Sequence, residues 1–181
     1  MNIWYWILCY ALPAGVAIYL TSTQTLPRNK MLTMHGGILV SIFILSAVGG
    51  RLHIEFQTLY VLLAVTSLIA TISFLSWLPG FGYTLSSVIQ EYCLLLAGLL
   101  LVPVGGVWIA AFATALIYAV AHQMESSNWR WKFPLMLVWG MVSIFLYAWL
   151  QQPLLNIALH ASIGAALIRV GLLYPNHAKI K

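Results

Sequence analysis

Three side chains with acid–base chemistry stand in apolar surroundings: Glu91, His122 and His160. Glu91 sits near the front of the run "SSVIQEYCLLLAGLLLV", in a chain that has only three acidic residues. An acidic side chain at the centre of a membrane helix costs about 2.5 to 3.5 kcal/mol on insertion scales. His122 ends the run "ALIYAVAH", and His160 lies inside "PLLNIALHASIGAAL" with Asn156 four residues before it and Gly164 four after. Residues four apart share a helix face, so Asn156, His160 and Gly164 form one stripe. A carboxyl group removed from bulk water holds its proton more readily, which brings it into the range of a general base. On this reading Glu91 takes a proton from water, His122 and His160 orient that water and support an oxyanion, and Asn156 plays a secondary part. The same Glu91, His122 and His160 are also three ligands of the kinds that hold a zinc ion with one position open. The residue types alone leave both alternatives standing.

The elements that must position these groups are set by composition. Of 181 residues, 62% are hydrophobic and 6% charged, and mean hydropathy is +0.96. Soluble domains carry about 25% charged residues, so the solvent of this chain is lipid and the fold class is an all-α polytopic helix bundle. Seven spans of roughly the required 20 residues are expected, at 3–21, 33–49, 57–78, 87–103, 106–123, 133–150 and 153–173. The breaks between them carry charge or breakers: "STQTLPRNK", "GGRLHIE", "PGFGYTLSS", "PVGG", "ESSNWRWK" and "QQP". The first stretch, "MNIWYWILCYALPAG", has no Lys or Arg before its apolar run, unlike a cleavable signal peptide, and reads as a permanent span. One membrane domain is expected over 1–181, with 1–83 as spans of unassigned role and 84–175 as the core that holds the chemistry.

Charge gives an orientation. With the N-terminus outside, Arg28, Lys30, Arg130, Lys132, Lys179 and Lys181 fall on the inner side and Arg51 alone on the outer, so N-out and C-in is expected. Arg169 lies near the inner end of the last span and can snorkel. The net charge of +5 is scattered, which speaks for membrane orientation and against nucleic-acid binding. Trp4, Tyr5, Trp6, Trp77, Tyr83, Trp129, Trp131 and Tyr174 sit near span ends, as interface anchors do. Ala111, Ala115 and Ala119 repeat every four residues, the pattern of a close helix-packing face, with His122 at its end. Cys9 and Cys93 lie in apolar runs and read as buried thiols. His35, His53 and His177 read as solvated or packing residues, and Glu125 as a solvated partner of Arg130.

At this point the pattern resembles the CAAX-protease and bacteriocin-processing family of intramembrane proteases, the Ras-converting-enzyme type. That family carries a Glu-Glu-x-x-x-Arg motif, then an aromatic-x-x-x-His motif, then His-x-x-x-Asn. Here "QEYCLLLA" stands for the first, "YAVAH" (Tyr118 to His122) for the second and "LNIALHASIG" for the third. The similarity covers roughly residues 84 to 172. If Glu91 is the first glutamate, Tyr92 replaces the second and Leu96 the arginine. In the other register Gln90 and Glu91 fill the pair and Leu95 stands for arginine. Gly164 stands where the asparagine is expected. The resemblance implies an endopeptidase of the prokaryotic plasma membrane, acting on a protein or peptide at the bilayer, with a metal such as zinc left open. Other classes remain: an inactive relative serving as scaffold, transporter or immunity protein; a haem protein with His122 and His160 as axial ligands; and a sortase-like transpeptidase using Cys93, Arg130 and His160.

Overall fold

The computed structural model describes residues 3–48, 51–54, 56–123 and 129–173. Glu55, Glu125, Tyr174, His177, Lys179 and Lys181 lie outside the described residues. Among the described residues the fold is all-helical: α1 (Ile3–Thr23), α2 (Pro27–Ala47), α3 (Thr58–Leu75), α4 (Trp77–Gln123), α5 (Trp129–Leu150) and α6 (Pro153–Arg169). The first five are long and apolar enough to cross a membrane, and α6, at 17 residues, is shorter.

The departures from the expected spans have local causes. In α1 the helix loosens to π geometry over Ile7–Ala11, just before Pro13, whose ring nitrogen has no hydrogen to donate back along the helix. The stretch "STQTLPRNK" is mostly helical. Pro27 opens α2 at a position where its missing N–H costs nothing, and Arg28 and Lys30 ride on the first turn. The fourth and fifth expected spans run together as α4, broken in conformation at Gly106, with φ 73° and ψ 173°. That backbone region is almost exclusive to glycine.

The largest difference lies in "PGFGYTLSS", which is helix rather than loop. The chain turns earlier, at Ser76 (φ 72°), and Pro79 falls in the first turn of α4, where proline is tolerated. Gly80 serves close approach there: a Cβ would lie 2.6 Å from the Ile72 Cα. The consequence is that Tyr83 and Ser87 belong to the same helix as Glu91, each four residues from the next.

The chain divides into two compact units. The first comprises residues 1–52 and 92–150, and the second residues 53–91 and 151–181. In the first unit, Trp6, Cys9 and Tyr10 of α1 and Leu45 of α2 pack with Cys93, Leu95, Leu96, Leu100 and Leu101 of α4 and Tyr147 of α5. Ala111, Ala115 and Ala119 are all fully buried. Gly140 of α5 lies against Ala115, so closely that a Cβ at 140 would be 2.8 Å from the Ala115 Cβ. Both cysteines are buried, and they form no disulfide.

In the second unit α3 packs along α6. Ser67 fixes that contact: its hydroxyl donates to the Ala158 carbonyl at 2.7 Å and lies 2.6 Å from the Ser162 hydroxyl. Thr71, fully buried, donates to the Ser67 carbonyl one turn back. With no water in the hydrocarbon region, hydroxyl groups at helix contacts find such partners or stay costly.

Candidate functional site

The site assembles in the second unit, from one face of α4 and one face of α6. On α4 the stripe is Tyr83, Ser87 and Glu91, and on α6 it is Asn156, His160 and Gly164. The helical spacing of four puts each set in line. Ser87, Glu91 and Asn156 are buried, so these polar groups point into the helix packing and away from lipid.

The central contact joins the two stripes. His160 Nδ1 and Glu91 Oε1 are 2.8 Å apart, with Glu91 0% exposed and His160 8%. The carboxyl group therefore has the partner that its burial demands. With Nδ1–H donating to the carboxylate, the imidazole is held in one ring orientation and one tautomer. Asn156 is buried one turn before His160 on the same face.

Tyr83 adds a group that the sequence reading placed only as an interface anchor. Its ring meets the His160 ring edge-on, with centroids 6.4 Å apart. Its hydroxyl lies directly over Gly164, where any Cβ would collide with it. The signal was present as the spacing 83, 87, 91. It was obscured because Pro79, Gly80 and Gly82 made the segment read as a loop.

His122 lies in the first unit, near the end of α4. It is half-buried, its Nδ1 donates to the Tyr118 carbonyl at 2.9 Å, and its ring packs against the Tyr118 ring at 4.2 Å. The Tyr118 to His122 spacing, read as a motif, is thus a local contact on one helix face. His35 makes the same intrahelical bond, to the Met31 carbonyl, and His53 is exposed.

A zinc site needs three or four ligands. Among the described residues no three His, Cys, Asp or Glu side chains stand together as a metal-binding group. In the second unit Glu91 and His160 supply two donors, and these two meet each other at hydrogen-bond distance. These residues do not fit a zinc centre. The positions that carry arginine in the family motif, Leu95 and Leu96, are buried in the apolar core of the first unit.

Comparison with family models, curated proteins and solved structures returned no match.

Proposed function

We propose that the chain is a membrane-embedded hydrolase of the CAAX-protease type, cutting a peptide bond in a protein or peptide at the bilayer. The observation that carries the reading is the buried Glu91–His160 contact at 2.8 Å. A carboxylate on Nδ1 orients the ring and fixes its tautomer, leaving Nε2 as the nitrogen that can accept a proton. Glu91 then activates water through His160. Further support comes from the resemblance across residues 84 to 172, with Asn156 in a supporting role on the face that carries His160. In this reading the chain crosses the bilayer seven times, because α4 turns at Gly106 and α6 spans despite its length. The residues from Gly106 to Gln123 rise about 27 Å as a helix, close to the hydrocarbon thickness of about 30 Å. The charge bias sets the N-terminus outside and the C-terminus inside.

The test is cleavage of a quenched-fluorescent peptide library in detergent micelles, read by mass spectrometry. The wild-type protein is expected to cut a subset of sequences. Glu91→Gln, which keeps the shape and removes the charge, is expected to be folded and inactive. Equal cleavage by both proteins would dispose of the reading.

A second reading has its own observation. Glu91 and His160 are nearly sealed from solvent, which also suits a static tie between α4 and α6 in a non-catalytic relative acting as scaffold or immunity protein. A wild-type protein that cuts no peptide, together with a Glu91→Gln variant that loses its fold, would favour it.

A further inference from the structure

We infer that Tyr83 is a positioning residue for His160: its ring, seated over the notch that Gly164 leaves in α6, holds the imidazole in the orientation that the Glu91 contact requires. The hold on the ring is a claim about the structure alone. Its consequence for rate rests on the hydrolase reading of Glu91 and His160.

A hydrogen bond ties one atom of an imidazole, while the torsion that turns the ring has a broad, two-fold profile. The Nδ1 contact with Glu91 Oε1 at 2.8 Å therefore needs packing beside it to keep the ring in one pose. Tyr83 supplies such packing. Its ring and the imidazole have centroids 6.4 Å apart and planes 74° from parallel, within the edge-to-face range that aromatic pairs favour. Tyr83 also shares α4 with the carboxyl group that bonds the imidazole. Ser87, midway between them on the stripe, donates to the Tyr83 carbonyl at 2.9 Å.

The far end of the phenol defines where that ring can sit. Its hydroxyl lies over the buried Gly164, one turn past His160, and a Cβ at 164 would collide with it. The same Cβ would stand 2.9 Å from the Tyr83 Cζ and 3.2 Å from its Cε1. Tyr83 thus spans one turn of α6, from the imidazole to the notch. Gly164 lies inside a helix, where glycine is disfavoured, so what the position demands is space and not backbone freedom. The phenol acts here as a packed wedge, and the atom left to take a proton is His160 Nε2.

The test uses the full chain in micelles with ¹⁵N-labelled histidine. The ring-nitrogen shifts report the tautomer, and the His160 signals are identified by their loss in His160→Gln. Wild type is expected to show His160 in one form, protonated at Nδ1. Tyr83→Leu removes the ring and is expected to give a mixture of tautomers. Gly164→Ala displaces the ring and is expected to do the same. Tyr83→Phe keeps the ring and is expected to match wild type. Combined with Gly164→Ala it removes the oxygen that collides, and is expected to recover most of the single form. In the peptide-cleavage assay the two disruptive variants are expected to lose kcat by up to about 10²-fold, the scale set by an ångström of misplacement, with KM little changed. A Tyr83→Leu protein with the wild-type tautomer overturns the proposal. So does a Gly164→Ala defect that Tyr83→Phe fails to relieve, or a Tyr83→Phe protein that itself shows the mixture. If the wild-type protein cleaves no peptide, the hydrolase reading falls while the nitrogen shifts still decide the role of Tyr83.

Discussion

The helix contact that carries Ala115 and Tyr118 makes a quantitative prediction from three glycines. Alanine is favoured over glycine inside a helix by about 1 kcal/mol, so Gly→Ala should stabilise wherever the methyl group has room. At Gly15 of α1 nothing lies within 4 Å of an added Cβ, and Gly15→Ala should stabilise by about 0.5 to 1 kcal/mol. At Gly140 the added Cβ would stand 2.8 Å from the Ala115 Cβ and 3.0 Å from its Cα. Carbon contacts are optimal at about 3.5 to 4.0 Å, and a backbone atom has no rotamer to escape into. Overpacking of that kind costs about 1 to 3 kcal/mol. Set against the helix gain, Gly140→Ala should destabilise by up to about 2 kcal/mol. Gly98 shows the same crowding against a side chain: its Cβ would meet both branches of the buried Ile144 at 2.9 to 3.3 Å, and a β-branched residue is stiff at χ1, so Gly98→Ala should also destabilise, by less than Gly140→Ala. Unfolding by SDS titration in mixed micelles reads all three. The pairing Ala115→Gly with Gly140→Ala should restore most of the loss. If Gly140→Ala is as stable as Gly15→Ala, α4 and α5 do not approach each other this closely at Ala115 and Gly140.

Other outcomes follow from single features. Gly106→Ala places a Cβ at φ 73° and ψ 173° and should destabilise by about 1 to 3 kcal/mol, measured by the same unfolding. Ser67→Ala removes the donor to the Ala158 carbonyl and should cost about 0.6 to 1.7 kcal/mol, the span measured for hydrogen bonds between membrane helices. A stability cycle of Glu91→Leu and His160→Leu should show a coupling above about 1.7 kcal/mol, because removing one partner of a buried pair strands the other. Additive losses would show that the two side chains do not meet.

Much of the fold is legible in residue type and period. Apolar runs of membrane length locate the helices, and the four-residue repeat of Ala111, Ala115 and Ala119 marks a face that is fully buried. The spacing of Asn156, His160 and Gly164 likewise marks a stripe, and the isolation of Glu91 marks a group in need of a partner. Sequence could not say that His160 is that partner, since the contact joins residues 69 apart in the chain. It also misplaced the start of α4. Proline and glycine in "PGFGYTLSS" serve a first turn and a close approach to Ile72, and both uses look like loop signals in one dimension. That misreading hid Tyr83, whose meaning depends on what lies across from it. For His122 the four-residue spacing from Tyr118 does predict what the fold shows, a ring contact and a hydrogen bond within its own helix.

The most direct measurement is the cleavage rate of one peptide by wild type, Glu91→Gln, His160→Gln and the double variant. Residues that act as one unit lose rate together and not in product. Each single substitution is expected to lower kcat by about 10² to 10⁴-fold, and the double variant should be no slower than the worse single one. Losses that multiply, or a Glu91→Gln protein that cuts at the wild-type rate, would contradict the account of a single proton-handling pair.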